Sequence, residues 1–489
     1  MGIGDGTKRK FSPGSPHAAS AKRAKKHRLR ISSLPKDILS SITSKLPLRE
    51  AARTSILSSQ WRRIWLCRAD INLCRYTVLS QSDRAQSWSA RESRLSRRSK
   101  FINSVGALLR QHEGVGTENI RICYDLCHTY AAHIDKWVEY TVASKAKGLT
   151  LELGSAQFGH EVVRYDFPLH MLGTKNYSNL RCLELSFVSL SPPAGFRGFQ
   201  NLTNLCLRDV NITNEDLQHL LSEGNRLECL RISGSNMLTS LRIPRCLNHL
   251  KLLLVFYCPL LQDIAVDCGV PALHYKGQLI RLQLAAPFKL RNLWSDLSGR
   301  HSDLGFIFSQ LPTTIPHLGM LILRCSQSEM ADLVSRLPSF LSLRHLILYM
   351  TITDRPRRTI DILNLGYILE ATPFVEKLEL HMLMDCLYKP YCHEDGKLRS
   401  LPSCPHSHLS LVNISGFIGE KDQLELALYI LRNATVLKTL KIDPKPRILG
   451  PVGDRVRSAD RVANGCSVAL EFLAKSDHRN VVEVVGALI

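Results

Sequence analysis

Two groups of cysteine and histidine residues have spacings that could hold a metal ion. They are Cys123, Cys127 and His128, and then Cys386, Cys392, His393, Cys404, His406 and His408. Thiolate and imidazole ligands bind zinc tetrahedrally, and proteins usually supply them as regularly spaced pairs. Neither group has that spacing, and a chain with 15 cysteines and 18 histidines contains such neighbours by chance. We therefore expect no metal and no other cofactor.

Motifs that would indicate catalysis are missing from the sequence. It contains no Walker-type phosphate loop, no Gly-x-Ser-x-Gly turn, no His-Glu-x-x-His pair and no dinucleotide-binding glycine fingerprint. Isolated carboxylates such as Asp125, Asp209 and Asp216 are typical of turns and caps, not of acid–base pairs. Catalysis therefore has no positive evidence in the sequence, and we expect that the protein is not an enzyme.

The net charge of +21 is concentrated at the N-terminus, because residues 1–100 contain 23 Lys and Arg against 6 Asp and Glu. Residues 1–30 have little to bury and are predicted to be a disordered basic arm. The arm contains a cluster typical of nuclear-localisation signals: Lys22, Arg23, Lys25, Lys26 and Arg28. The cluster predicts localisation to the nucleus, with the cytoplasm as an additional location. The alternative is that the cluster is only a solvated basic tail.

No membrane partner is expected, because the longest apolar run, residues 250–261, is too short to span a bilayer. The net charge argues only weakly for a nucleic-acid partner, because residues 101–489 are nearly neutral and the basic residues lie near the N-terminus.

Residues 31–76 show three short helical patterns. In the first, Pro35 and Asp37 suit the first turn of a helix. Its apolar residues are predicted to share one face: Ile38, Leu39, Ile42 and Leu46. Pro47 ends this helix. A module with so few apolar residues has little core of its own, which favours burial against a partner.

The second helix is predicted at about residues 48–57. The third helix is capped by Ser58 or Ser59 and places Trp61 and Trp65 four residues apart, on one face.

The pattern Leu34-Pro35-x-Asp37-Ile38-Leu39, with Leu46-Pro47 and Leu57-Ser58-x-x-Trp61-Arg62-x-x-Trp65, resembles the F-box of plants. The resemblance implies docking on the Skp-type adaptor of a cullin–RING ubiquitin ligase. The residues that it implies for adaptor binding are Leu34, Pro35, Ile38, Leu39, Ile42, Leu46, Pro47, Leu57, Trp61 and Trp65.

Residues 77–148 are predicted to be a linker with two helices that lead into the next domain. From residue 149 to 405 a Leu-x-x-Leu-x-Leu pattern recurs, with unbroken starts 22 or 25 residues apart. Its clear copies start at Leu180, Leu202, Leu227, Leu318, Leu343 and Val375, with a last copy at Leu437. Weaker copies lie at 238–243, 247–252 and 260–266, and inserts at 281–317 and 385–407 interrupt the count.

This period is typical of leucine-rich repeats. The sequence thus predicts a mixed α/β protein, in which a three-helix module precedes a curved solenoid with parallel strands on its concave face. The residues between the leucines point to that face and are predicted to bind a target protein: Glu184, Ser186, Arg208, Arg231, Arg324, His345, Tyr349, Lys377, Glu379 and His381.

Residues 406–446, which contain His408-Leu409 and Gly416-Phe417-x-Gly419, resemble the FBD domain of plant F-box proteins, and residues 447–489 are predicted to be a tail. Together, these resemblances imply the substrate receptor of an SCF-type ligase, with the adaptor, cullin and RING subunits and an unknown target as partners. Two alternatives stay open. They are a DNA-binding protein with a basic arm, and a repeat scaffold in which the helices only cap the solenoid.

Overall fold

The computed structural model describes fifteen segments of the chain: residues 34–66, 68–85, 91–112, 114, 116–154, 163–172, 179–197, 199–222, 224–278, 280–297, 304–326, 338–353, 360–385, 389–447 and 459–486. The basic cluster from Lys22 to Arg28 and Cys386 lie outside the described residues. The predicted localisation signal stays a prediction.

Helices are short in this fold, apart from one of 21 residues. Among the described residues they are α1 (Lys36–Ser44), α2 (Leu48–Arg53), α3 (Ser59–Leu66), α4 (Arg75–Val78), α5 (Gln81–Ala85), α6 (Arg91–Gln111), α7 (Ala131–Ala143), α8 (Asn214–Ser222), α9 (Leu304–Thr314), α10 (Gly366–Glu370), α11 (Lys421–Asn433) and α12 (Ala459–Val468).

The strands recur along nearly the whole described chain. They are β1 (Asp70–Cys74), β2 (Asn119–Cys123), β3 (Gly148–Glu152), β4 (Tyr165–Asp166), β5 (Cys182–Ser186), β6 (Val188–Ser189), β7 (Asn204–Arg208), β8 (Cys229–Ser233), β9 (Ser240–Ile243), β10 (Leu252–Phe256), β11 (Asp263–Val266), β12 (Ala272–Gly277), β13 (Arg281–Leu284), β14 (Asn292–Leu297), β15 (Met320–Ser326), β16 (His345–Thr353), β17 (Lys377–Asp385), β18 (Leu411–Ser415), β19 (Thr439–Asp443) and β20 (Val482–Val484).

One parallel sheet of 15 strands organises the molecule, in the order β1-β2-β3-β5-β7-β8-β10-β12-β14-β15-β16-β17-β18-β19-β20. Each strand adds beside the one before it, as stacked repeats require. Burial alternates along the strands, so that Leu183 and Leu185 point into the core while Glu184 points out. The predicted mixed α/β solenoid is confirmed.

The sheet extends beyond the predicted limits of the repeats. It begins at β1, where Ile71 lies opposite Ile120 of β2, and it ends at β20, where Val482 pairs with Leu440. Residues 77–148 and 447–489 therefore contribute repeat units in addition to any linker or tail. The sequence obscured the first unit because the distance from β1 to β2 far exceeds the usual 20–29 residues.

A second parallel sheet, β13-β11-β9, packs behind the main one. Ile264 and Leu282 of this sheet line an apolar cavity together with Leu273 and Leu293 of the main sheet. The weaker repeat copies at 238–243 and 260–266 are thus strands of the second sheet. The supposed insert at 281–317 contains β13, β14 and α9, so the repeats continue through it.

The second supposed insert, residues 385–407, packs against α11, whose residues are nearly all buried. Arg399 pairs with Glu425 of this helix and with Asp361, at 2.5 Å in both cases. The carboxamide of Gln423 accepts from the Ile418 amide and donates to the Gly416 carbonyl.

Gly416 belongs to the FBD-like motif and needs to be glycine, because its φ is +75° and an added Cβ would lie 1.9 Å from the Met382 carbonyl oxygen. The motif therefore has a structural role in turning the chain from β18 to α11.

Candidate protein-binding surfaces

The apolar stripe predicted for the first helix is only partly packed inside the module. Leu39 and Thr43 of α1 are buried, whereas Ile38 and Ile42 are 47% and 39% exposed. Successive residues of a helix are about 100° apart, so Ile38 and Leu39 lie at opposite edges of the stripe. The edge with Ile38 and Ile42 is therefore available to a partner.

Further apolar residues of the module are exposed as well, and we call the whole set the docking face. It comprises Pro35, Ile38, Ile42, Pro47, Ile56 and Leu57. Leu34 and Leu46 are half-buried. Ile56 is 88% exposed, more than any other large hydrophobic residue among the described ones. The sequence interpretation missed Ile56 because it placed this residue inside α2, although the chain has turned into a 3-10 helix there.

The tryptophans of α3 point inward. Trp61 and Trp65 are buried, and Arg62 and Arg63 are exposed on the opposite side. The hydroxyl of Ser58 accepts from the Trp61 amide at 3.3 Å, which caps the helix. The exposed side of α3 thus carries two arginines, so the DNA-binding alternative stays open.

Arg68 secures α1 from outside the recognised motif. Its guanidinium donates to the carbonyls of Leu46 and Ser44, at 3.0 and 2.6 Å. A cation that bonds the last carbonyls of a helix is favourable both as a cap and for the helix dipole. Arg68 thus fixes the end of the helix that carries Ile38 and Ile42.

The concave face is the side of the main sheet that carries the residues between the leucines. Strand register sorts the predicted target-binding residues into three adjacent rows across this face. The middle row contains Glu184, Arg231 and Glu379; the row nearer the strand ends contains Ser186, Arg208, Arg324, Tyr349 and His381; the third row contains His345 and Lys377.

Three of these residues form a first group near the N-terminal half of the face. Arg208 and Arg231 are exposed, and within the described segments neither forms an ion pair. Glu184 lies in the same region and accepts from the Thr150 hydroxyl at 3.4 Å. Burial, followed by the charge of Glu184, raises the pKa of the nearby Cys206 to about 11, so this thiol is neutral. The two arginines give this part of the face a positive charge.

A second group centres on the carboxylate of Glu379. It lies 2.9 Å from His345 Nε2, 2.8 Å from Lys377 Nζ and 3.4 Å from His381 Nε2. Burial alone would raise the pKa of Glu379, but hydrogen bonds from Lys377 and His345 hold it below its ordinary value. Arg324 lies over the ring of Tyr349, with the guanidinium carbon 5.9 Å from the ring centroid, and 3.6 Å from the carboxylate of Asp296.

An apolar strip that the sequence interpretation missed lies between the two groups. Strand register places five residues in one row: Leu254, His274, Trp294, Ile322 and Ile347. The ring of Phe256 packs edge-on against Trp294, with centroids 5.7 Å apart. We call these six residues the central strip. Its signal was hidden because β12 and β14 lack the full leucine pattern, so Trp294 was assigned to an insert.

The cysteine and histidine groups do not converge. Cys127 lies against the Thr129 hydroxyl, whereas Cys392 contacts Asp395 and His406 packs on Tyr429. Among the described residues, no three side chains of His, Cys, Asp or Glu come together in a way that could hold a metal ion. Within the same residues, no helix combines the length and apolar character needed to cross a membrane.

Two family models match the chain. An F-box domain matches residues 31–67, and a leucine-rich-repeat domain described as At1g61320/AtMIF1, LRR domain matches residues 108–482. The second match covers most of the solenoid, including β2, which lies upstream of the predicted repeats.

Several Arabidopsis thaliana proteins are similar to this chain. F-box/FBD/LRR-repeat protein At1g13570 is 30% identical over 203 residues, which are 42% of this chain and 44% of that protein. F-box/FBD/LRR-repeat protein At5g56420 is 24% identical, over 86% of this chain and 92% of its own length. F-box/FBD/LRR-repeat protein At5g53840 is 25% identical, over 91% of this chain and 96% of its own length. A three-helix module with the F-box pattern, joined to a solenoid that the repeat model covers, places this chain in the family of plant F-box/LRR-repeat proteins.

Proposed function

We propose that this protein is the substrate-recognition subunit of an SCF-type E3 ubiquitin ligase. The F-box module docks on a Skp-type adaptor and, through it, on the cullin and RING subunits. The solenoid binds a target protein, and the chain itself is not catalytic. The observation that carries the proposal is the docking face, where apolar side chains as exposed as Ile56 and Leu57 lie on a small helical module. Such a surface is costly in water and favours a protein partner.

The roles of the ten predicted adaptor-binding residues differ with their burial. We assign direct contact to the exposed members Pro35, Ile38, Ile42, Pro47 and Leu57, together with the half-buried Leu34 and Leu46 and with Ile56 added. Leu39, Trp61 and Trp65 support the face from inside the module. A stable interface buries roughly 800 Å² on each partner, and a few anchors dominate it, each costing about 2 kcal/mol or more on truncation.

We further propose that the concave face selects the target and that the basic arm with Lys22–Arg28 directs the protein to the nucleus. The central strip offers an apolar surface, with Arg208 and Arg231 on one side and the Glu379 group on the other. Aromatic anchors beside charged residues are typical of protein interfaces.

Adaptor docking can be tested by co-expressing the full chain with a Skp-type adaptor and measuring co-purification. We expect Leu34→Ala with Pro35→Ala to abolish it, and Ile56→Asp alone to weaken it strongly. The control is Leu341→Ala, which removes an apolar side chain that is 64% exposed on the solenoid. Unchanged recovery of adaptor with both docking-face variants, at unchanged melting temperature, would contradict the proposal.

The same preparation addresses the DNA-binding alternative. Nuclease treatment should leave the adaptor bound, and a labelled duplex should bind weakly. The DNA-binding alternative would be favoured if the protein bound the duplex tightly and with strong salt dependence. This binding should then be lost in the double variant Arg62→Gln with Arg63→Gln.

A further inference from the structure

One core position of the main sheet is occupied by a serine. Strand register places one residue of each strand in a single inward-facing row, and every strand but two supplies Leu, Ile or Val there. The exceptions are Tyr275 of β12 and Ser295 of β14. Ser295 is only 8% exposed. A hydroxyl at such a position is costly unless it finds a hydrogen-bond partner.

Ser295 lines a cavity in the core, with a volume of about 90 Å³. Three layers meet around it: Leu293 belongs to the main sheet, Leu282 to the second sheet and Leu311 to α9. The layer behind the main sheet changes at this point from the strands β9, β11 and β13 to the helix α9. The cavity therefore lies where strands and a helix fill the same layer differently, and a serine in place of a leucine leaves it open.

The lining of the cavity is neutral and almost entirely apolar. Apart from Ser295, Tyr275 carries the one polar side-chain group among the described lining residues. Its hydroxyl already donates to the Gln278 carbonyl at 2.5 Å, and burial raises the pKa of Tyr275, so the phenol keeps its proton. Within the part of the chain that the structure describes, the Ser295 hydroxyl forms no hydrogen bond. The cavity thus offers one hydroxyl to a bound molecule.

Water suits this cavity poorly. The volume of about 90 Å³ corresponds to roughly three waters, and each buried water makes about three hydrogen bonds. The Ser295 hydroxyl and the remaining acceptor capacity of Tyr275 do not supply that many partners. Apolar cavities stay dry and take up small apolar molecules instead.

We propose that this cavity binds a small, neutral, mostly apolar molecule with a single hydroxyl or carbonyl group, of the size of a short-chain alcohol. The chain of the ligand contacts Leu282, Leu293 and Leu311, and its polar group bonds the Ser295 hydroxyl. An apolar cavity of about 150 Å³ holds benzene, so the smaller volume here excludes fused rings and long chains. The site lies behind the main sheet, apart from the docking face and the central strip, and goes beyond the proposed ligase function.

The test uses the purified full chain and trifluorobutanol, whose fluorine signal is followed by nuclear magnetic resonance. We expect saturable broadening of this signal, its reversal by unlabelled butanol, and a melting temperature that rises with trifluorobutanol concentration, because the ligand binds only the folded chain. Ser295→Leu gives β14 the residue type of its neighbours and fills the cavity, so it should abolish binding without lowering the melting temperature.

Ser295→Ala keeps the space and removes the hydroxyl. It should weaken binding by roughly three- to tenfold, which corresponds to one hydrogen bond between neutral groups. The control, Ser222→Leu, makes the same exchange as Ser295→Leu at an exposed serine of α8 and should leave binding unchanged. Ser295→Val is made beside Ser295→Leu as a smaller replacement, and binding is compared among variants that melt at or above the wild-type temperature.

Three outcomes would overturn the proposal. The first is no saturable broadening with the wild type, which would leave the cavity empty or filled by water. The second is wild-type binding by a folded Ser295→Leu variant, which would place the alcohol elsewhere. The third is equally tight binding of trifluorobutanoate, because a cavity without a cation should reject a carboxylate. Adaptor recovery by the same variants reports the F-box separately, so failure here is distinguishable from failure of the proposed function.

Discussion

The indole of Trp65 in the F-box lies edge-on to the imidazole of His112 at the end of α6, with ring centroids 6.2 Å apart. His112 Nδ1 accepts from the Gly114 amide at 3.0 Å and lies 2.8 Å from the hydroxyl of Tyr140 in α7. Trp65 also belongs to the continuous core that runs through the solenoid. The F-box is therefore packed onto the first repeats, which fixes how an adaptor and the concave face are oriented.

Breaking this contact should destabilise the protein in a graded way. We expect Trp65→Ala to lower the free energy of unfolding by roughly 3–5 kcal/mol, because it leaves a large cavity. His112→Ala should cost roughly 1–3 kcal/mol through its lost hydrogen bonds. Urea unfolding measures both, and His393→Ala, at a 78% exposed side chain, is the control. A change below about 0.5 kcal/mol for Trp65→Ala would show that the packing is not as described.

The central strip should decide which target is captured. Affinity capture from cells with the proteasome or neddylation blocked should enrich the adaptor, the cullin and at least one further protein. We expect Trp294→Ala with Ile322→Ala to reduce the recovery of that further protein at least tenfold, because anchors of this kind are worth about 2 kcal/mol or more each.

Adaptor recovery should stay unchanged in this variant, since the F-box lies elsewhere in the chain. The paired control is Leu341→Ala with Val436→Ala, which alters exposed apolar residues outside the main sheet. Equal recovery of the same proteins by the strip variant and the wild type would place target binding away from the strip.

Arg399 should be essential to the C-terminal repeats because its partner Glu425 has a fully buried side chain. Arg399→Ala leaves that carboxylate without its cation, and we expect a loss of roughly 3–5 kcal/mol. Lys389→Ala also breaks an ion pair, with Asp395, but the lysine is exposed and the loss of stability should be much smaller. Urea midpoints of the two variants provide the comparison, and similar midpoints would rule out a special role for the buried pair.

Acid should destabilise the protein before its carboxylates titrate. Burial lowers the pKa of His406, and it does the same for His274 and His381. The unfolded chain, with a histidine pKa of about 6.5, then takes up protons before the folded one. The contribution of these histidines to stability should be constant above about pH 7 and fall below about pH 6.5, by at most about 1.4 kcal/mol per pH unit for each histidine.

Urea midpoints at pH 7.5 and 5.5 measure this loss. His406→Gln should reduce the difference between the two midpoints, whereas His393→Gln, at an exposed position, should leave it unchanged. A protein equally stable at both pH values would contradict the burial of these imidazoles in the neutral form.

The sequence alone determined the features that depend on local spacing. Leu34-Pro35 through Trp65 indicated three helices with the F-box pattern, and the recurrence of leucines at 22 or 25 residues indicated a solenoid. Both are short-range patterns, because the spacing of apolar residues within one helix or strand shows which of its sides is buried. Even the residues of the concave face were predictable, because alternate strand residues point to opposite sides.

The tertiary structure decided which of these residues meet and which face water. Ile38 and Leu39 are equally apolar neighbours, yet packing against α3 buries only Leu39. Trp294 joins the row of Leu254 and Ile322 through strand register, which depends on pairing between residues 20 or more positions apart and leaves no local signal. Arg75, Arg98 and Arg121 line one cavity but likewise come from three separate elements, α4, α6 and β2. Their proximity depends on how the first repeats pack, and no spacing in the sequence indicates it.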